Sequence, residues 1–245
     1  MLHGRGLFVA DLVDQGTLAA VFVRSMHAHA DIAGIDITRA AALPGVHLVA
    51  TAADLQLGPL PLLHVPDPTF AAATGFSMVD PRLPCLAADK VSYVGQPVAV
   101  VVATDRHTAE DAAELVDIAY GDLDPVLDPR AALDDGAPLI HPHLESNLAA
   151  RIGFRFGDVD AALAGAAVVV QRDLTVGRHA AMPMECRGVL ARPEPGGRMD
   201  MVTSSQIPHR VREAVCSANG LDESAVRVRV VDVGGGFGGK ANVYA

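Results

Sequence analysis

Asp232-Val233-Gly234-Gly235-Gly236-Phe237-Gly238-Gly239-Lys240 places five glycines in six consecutive positions. Without a Cβ, such backbone can enter left-handed conformations, and neighbouring N–H groups can converge on one anion. Ala225–Val233 alternates Val and Arg before an apolar end at Val230-Val231, so it reads as a strand running into the loop. Strand, glycine loop and following Lys240 together form an expected phosphate or cofactor cradle, with the lysine adding positive charge. A flexible turn is the plainer reading, but a turn does not require Phe237 and Lys240 at set places. Gly234, Gly239 and Lys240 match GxxxxGK, yet Ala241 stands where a P-loop carries Ser or Thr for magnesium. Gly234, Gly236 and Gly239 match GxGxxG, but neither a useful helix nor an acidic residue roughly twenty positions on follows in this sequence. Both nucleotide readings fail on context.

The rest of the chain narrows the ligand class. Its formal charge of −10, from 29 acidic and 19 basic residues, repels phosphate backbones and argues against a nucleic-acid partner. No apolar run approaches the roughly 18 residues that cross a bilayer. Met1–Arg5 begins no signal-peptide core, so a cytoplasmic location is expected. Cys85, Cys186 and Cys216 are odd in number and lack CxxC spacing. That disfavours a disulfide scaffold, a zinc ribbon or an iron–sulfur site in this chain. Electrons from any redox chemistry would leave through another polypeptide.

Half of the 245 residues are apolar, enough for a core in each of two domains. From Arg5 to about Tyr120, strands are expected at 18–24, 46–50, 90–93, 98–103 and 116–120, with 30–36 of mixed apolar character. Thr38 is expected to cap a short helix through Ala42, and Thr104 or Asp105 a helix through about Leu115. Ala109, Ala112, Ala113 and Val116 share its apolar stripe. The Pro-rich stretch 56–78 reads as a long loop. Pro125, Pro129, Pro138 and Pro142 punctuate a linker over 121–150. Beyond it, a capped helix is expected over 158–164, a strand over 166–176, and a hairpin around Pro195-Gly196-Gly197. A helix over 208–219 should end at Gly220.

Several motifs occur in one order. They are Gly4-Arg5-Gly6-Leu7-Phe8-Val9-Ala10-Asp11, Phe22-Val23-Arg24-Ser25-Met26-His27-Ala28-His29-Ala30 and Leu43-Pro44-Gly45-Val46. Tyr93-Val94-Gly95-Gln96-Pro97-Val98-Ala99, Ala109–Val116 and Gly157–Ala162 follow, then Met184–Ala191, Ser205-Gln206-Ile207-Pro208-His209 and the glycine loop. In this order the chain resembles, over essentially its whole length, the xanthine dehydrogenase, aldehyde oxidase and aerobic carbon monoxide dehydrogenase family. The resemblance implies an α+β chain. An a/b hammerhead domain (1–120) and a linker (121–150) would precede the first part of the molybdenum-cofactor-binding domain (151–245).

It also implies roles. Backbone amides around Gly235, Gly236, Phe237 and Gly238 would hold the pterin of a molybdenum–molybdopterin cofactor, in a form that can include cytosine dinucleotide. Gln206 would place its side-chain amide near a molybdenum oxo ligand; a buried glutamine tying strand to helix is the plainer reading. Glu185 and Arg187 follow His179 and would brace the site as a buried ion pair. His27 and His29, two apart, could share a strand face toward a metal, but the resemblance makes them structural. His141 and His143 are expected to be solvated, and Cys186 to be a small buried thiol. No metal ligand is expected from protein side chains. The catalytic base of the family is a Glu in a C-terminal region outside these 245 residues, and Glu would be needed to take a proton near neutral pH.

The implied reaction hydroxylates an aldehyde, an N-heterocycle or a carbon monoxide-like substrate with water as oxygen source. [2Fe–2S] clusters and FAD on partner subunits would carry electrons away. Ala241 stands where purine-oxidising relatives tend to carry Glu, which weakens a purine reading. Because family large subunits are several times longer, the chain is expected to be a truncated or split subunit or a fragment. It would be inactive until a C-terminal molybdopterin-binding polypeptide, an FAD-binding subunit and an iron–sulfur subunit complete it. A non-catalytic assembly or binding protein retaining the fold is the alternative.

Overall fold

The computed structural model describes residues 3–60, 68–79, 83–154, 156–177 and 179–244. Part of the expected 56–78 loop, together with Met1, Leu2 and Ala245, lies outside the described residues.

The first half contains β1 (Ala19–Arg24), β2 (Ala30–Asp36), α1 (Thr38–Ala41), β3 (Val46–Thr51), α2 (Ala52–Leu55), α3 (Pro68–Thr74) and β4 (Ser77–Met78). It continues through β5 (Lys90–Val91), β6 (Pro97–Ala103), α4 (Arg106–Ala113) and β7 (Asp117–Asp122). Two antiparallel sheets result, in the orders β1–β6–β3 and β5–β2–β7. Most of the Val/Ala run of β6 is buried: Val98, Ala99, Val101 and Ala103 are fully inaccessible, while Val100 and Val102 are partly exposed. α4 lays Ala109 and Ala112 against Val101 and Val49, closing one core. A second core joins Ala30, Ala87, Val91 and Val98. The chain passes from β5 to β6 through Gly95, whose φ of 90° suits glycine and whose N–H reaches the Ser25 carbonyl at 2.7 Å. The two strands expected either side of this turn thus fall in different sheets.

Of the two expected caps for α4 it is Asp105 that acts, its carboxylate accepting from Thr108 N–H at 3.0 Å. Two other local expectations need correction. Thr38 is the first helical residue of α1 rather than its cap, because the Asp36 carboxylate already accepts the Thr38 N–H at 2.9 Å. The 56–78 stretch is not loop throughout, since α3 forms in it and β4 pairs with β8 (Ala150–Arg151).

The second half adds α5 (Val159–Ala164), β9 (Val189–Glu194), β10 (Arg198–Thr203), α6 (Pro208–Asn219) and β11 (Val226–Arg229). Asp158 caps α5, its carboxylate accepting from Ala161 N–H at 3.0 Å. β9 and β10 form the expected hairpin, and α6 carries the chain over to β11, which runs parallel to β10. α6 starts at Pro208 and stops at left-handed Gly220 (φ 64°). Asp200 of β10 accepts a two-pronged pair of bonds from Arg229 of β11, with Nε–Oδ1 at 2.9 Å.

The small core of this sheet is completed from the start of the chain. Val9 packs with Leu190 and Val202. Leu7 N–H donates to the Asp232 carboxylate at 2.9 Å, and Asp232 N–H returns a bond to the Leu7 carbonyl at 3.0 Å. Arg192 ties the segment down through the Leu12 carbonyl and Asp14, both at 2.6 Å.

The strand expected over 166–176 does not form. The stretch forms no strand ladder with any described residue, and Val168, Val170, Leu174 and Val176 are each at least 75% exposed. A strand needs an edge to pair with, and none of the described strands offers one here.

Candidate cofactor site

The glycine loop leaves β11 beside the Leu7–Asp232 clasp and folds over Glu185. Gly234 N–H donates to Glu185 Oε2 at 2.8 Å, and Glu185 N–H reaches the Gly234 carbonyl at 3.2 Å. Lys240 Nζ donates to the same Oε2 at 2.8 Å. The Lys240 carbonyl accepts from Gln206 N–H at 2.9 Å and from the Ser205 hydroxyl at 3.3 Å. Two tight turns, Gly239 N–H to Gly236 O and Ala241 N–H to Gly238 O, shape the loop between these anchors.

Close approach requires the glycines. A Cβ on Gly234 would lie 2.5 Å from Glu185 Cβ, and one on Gly239 2.9 Å from Ala181 Cβ. A Cβ on Gly236 would fall 2.5 Å from the carboxamide of Gln206, which overlies that residue. Gly235 (φ 100°), Phe237 (φ 48°) and Gly238 (φ 79°) are all left-handed. For Phe237 this conformation costs about 1–2 kcal/mol. Its ring is 78% exposed, so no core packing offsets the strain.

The site residues named from sequence therefore meet in space: Gln206 sits against Gly236, and Gly235, Phe237 and Gly238 form one curved run. Among the described residues, the N–H groups of Gly235, Gly236, Phe237 and Gly238 find no hydrogen-bond acceptor. Nor does the carboxamide of Gln206 have a partner among them, and this residue is exposed rather than buried. Four successive unsatisfied donors on a curved loop form an anion-accepting surface. A hydrogen-bonding ligand such as a pterin fits that donor set.

Three sequence expectations change at this point. Lys240 does not project toward a ligand. Its side chain is 1% exposed and neutralised by Glu185, so it braces the loop from beneath. The ion pair of Glu185 is thus with Lys240, not Arg187, whose guanidinium stacks on the Tyr244 ring at 3.5 Å. Burial alone would raise the Glu185 carboxyl. The hydrogen bonds from Lys240 and Gly234 and the lysine charge outweigh it and hold the group below the usual carboxylate range. Cys186 is exposed rather than a buried thiol. Sequence spacing held no sign of the Glu185–Lys240 pair, whose members lie 55 positions apart.

The histidines fill structural places. His27 Nδ1 lies 2.6 Å from Asp122, and His29 Nδ1 lies 2.8 Å from the Asp124 carbonyl, pinning the end of β7. Neither sits within a strand. His141 is half-buried rather than fully solvated, and burial, followed by the charges of His143, Lys90 and His29, pushes its pKa down. No cluster of three metal-ligating side chains occurs among the described residues. No described helix is long and apolar enough to cross a membrane.

Beside the loop, a cleft of about 1200 Å³ separates the halves. Phe22, Val100 and Val102 form one wall, Val211 and Val215 another, and Arg187, Lys240 and Tyr244 approach it from the loop side. It exceeds the roughly 300–1,000 Å³ of a single small-molecule site.

Comparison with known proteins bears on what this architecture is. Residues 3–124 match the model of the aldehyde oxidase and xanthine dehydrogenase a/b hammerhead domain. Residues 140–245 match that of the molybdopterin cofactor-binding domain. The chain is 42% identical to the nicotine 6-hydroxylase large subunit of Paenarthrobacter nicotinovorans, over 100% of this chain and 29% of that one. It is 37% identical to the carbon monoxide dehydrogenase large chain of Afipia carboxidovorans, over 99% of this chain and 30% of that one. The crystal structure of quinoline 2-oxidoreductase from Pseudomonas putida 86 superposes with a TM-score of 0.84 at 37% identity, again over 99% of this chain and 30% of that chain. The chain thus spans about 30% of the length of these relatives. With both domain models matched in order and the fold shared, this chain belongs to the xanthine dehydrogenase, aldehyde oxidase and carbon monoxide dehydrogenase family, corresponding to part of its molybdopterin-binding large subunit.

Proposed function

We propose that this chain supplies the pterin-gripping wall of a molybdenum hydroxylase. The observation that carries the reading is the run of four unsatisfied amides, Gly235 to Gly238, on a loop locked from beneath by the Glu185–Lys240 pair. These amides would donate to the polar edge of the molybdopterin, and the Gln206 carboxamide would point its N–H group toward the metal end. The molybdenum cofactor, when bound, supplies a two-electron oxidation in which water provides the oxygen. The residues of this chain bind and orient it: preorganised amides act without moving as charge develops on the ligand. The base that takes the substrate proton comes from another polypeptide region.

The substrate class this reading favours is an N-heterocycle, supported by relatives named for nicotine and quinoline. An aldehyde or a carbon monoxide-like molecule would be the other classes. The cytosine dinucleotide form of the cofactor, [2Fe–2S] and FAD subunits, a cytoplasmic location and a division into 1–120, 121–150 and 151–245 belong to the same reading. So does inactivity without a C-terminal molybdopterin-binding polypeptide.

The test is metal and pterin analysis of the chain purified with and without its partner subunits. The assembled form should carry about one molybdenum per chain, and Gly236→Ala, which displaces Gln206, should lower hydroxylase turnover with the fold intact. Tight stoichiometric molybdenum in the isolated chain contradicts the need for a partner. A stable, metal-free monomer that joins no hydroxylase complex favours an assembly or binding role.

A further inference from the structure

Among the described residues, nothing covers the apolar face of the stretch 167–177. In an extended backbone successive side chains alternate sides. Val168, Val170, Leu174 and Val176 then share one side with Arg172, while Val169, Gln171, Asp173 and Thr175 share the other. The four apolar residues of the first side are 75–87% exposed, and Val169 is less so at 59%. This is the pattern of a strand half-buried in a sheet, yet no described strand pairs with it. Asp173 lies 3.6 Å from Arg130, with both side chains exposed. Exposed apolar patches of this kind mark interaction surfaces.

The stretch also leads into the candidate site. A Cβ on Gly239 would meet Ala181 at 2.9 Å, and one on Gly235 would meet Pro183 at 3.0 Å, so the segment following the strip forms the side of the glycine loop. Met182 and Met184, in that same segment, are 82% and 98% exposed.

We infer that residues 167–177 form a docking strand. They would pair edge to edge with a strand of the polypeptide corresponding to the part of the large subunit that this chain does not span, and so bring the missing wall of the pterin site against the glycine loop. This rests on the reading of the chain as part of a molybdopterin-binding subunit. Three observations select that occupant. The strip lies inside the region matching the molybdopterin cofactor-binding domain. The relatives are about three times longer than the matched span. A second copy is disfavoured because each chain carries a net charge of −10 and like-charged copies repel. Strand addition supplies backbone hydrogen bonds for affinity and alternate side-chain pockets for specificity.

The experiment co-expresses the chain with the portion of the nicotine 6-hydroxylase large subunit that lies outside the matched 29%. It reads co-purification, amide hydrogen exchange and molybdenum content. In the complex, amide exchange over 167–177 should slow by about a hundredfold, as in a paired strand. The double variant Val168→Glu, Val170→Glu should cut the co-purified yield at least about tenfold, the effect of losing some 1.4 kcal/mol of binding. Gln171→Glu, on the other side, should leave the yield unchanged. All three side chains are exposed in the chain alone, and unchanged circular dichroism of each variant separates lost docking from lost folding. The inference is overturned if no complex forms, if a complex forms with the strip still exchanging freely, or if both faces respond alike. It is also overturned if light scattering shows the strip buried in a homodimer. A complex with the strip protected but devoid of molybdenum and pterin would sink the cofactor reading and leave the docking strand standing.

Discussion

β6 and the stretch 166–176 are built from the same kind of residue and meet different surroundings. In β6 the run Val98–Val102 lies between antiparallel β1 and β3 and contributes to two cores. In 166–176 the run Val168–Val170 finds neither a neighbouring strand nor a helix among the described residues. The contrast extends to the two halves. The first is held by aliphatic side chains packed to full burial. Among the described residues of the second, the core cluster is small and part of it is borrowed from Val9, and a few buried side chains such as Ala214 and Val226 lie outside it. Polar clasps join Leu7–Asp232, Arg192–Asp14, Asp200–Arg229 and Glu185–Lys240. Strand-forming sequence makes a strand only where another edge is within reach. The half with the smaller core is organised by charge and leaves apolar surface exposed.

The strongest way to break this contrast is Glu185→Gln. It leaves the Lys240 ammonium buried beside a neutral amide, and removing one partner of a buried pair costs about 3–5 kcal/mol. Hydrogen exchange should accelerate over 232–241 and stay slow in β6; loosening of β6 to the same degree would mean the halves do not differ in how they cohere. Val101→Ala tests the aliphatic half. Losing two carbons from a fully buried site costs about 2 kcal/mol, read as a lower urea midpoint for β1, β3 and β6.

Acidification probes the polar half next. Hydrogen bonds from Arg229 hold the Asp200 carboxyl below its ordinary value of 3.8; burial opposes them, and the charges of Arg229, Arg227 and Arg192 add to them. A lowered folded-state pKa means the carboxylate stabilises the fold fully above the ordinary value. That stability is lost as pH falls through the lower, folded-state value. Asp200→Asn should cost about 1–2 kcal/mol at neutral pH, less than a fully buried pair because Arg229 is 42% exposed. It should also flatten the acid limb of the melting temperature measured below pH 4. The smallest effect belongs to Val170→Ser in the isolated chain, within about 0.5 kcal/mol of the wild type in denaturant titration. A larger loss would show that the strip already packs against something.

Particular residues show how far the linear order of amino acids reached. The Val/Ala run of β6, the alanine stripe of α4, the hairpin at Gly196-Gly197, and α6 between Pro208 and Gly220 were readable because period, caps and left-handed turns are properties of neighbouring residues. The glycine loop was readable for the same reason: a missing Cβ is local chemistry. Its supports were not. Leu7 meets Asp232 across 225 positions and Glu185 meets Lys240 across 55, and no local period encodes which distant carboxylate a buried lysine will face. The role of Lys240 therefore inverted, from ligand contact to brace. The fate of 166–176 also depended on distant edges. Its alternation specifies which side is apolar, but burial is a property of pairs of surfaces, and only folding in three dimensions decides whether a second surface arrives.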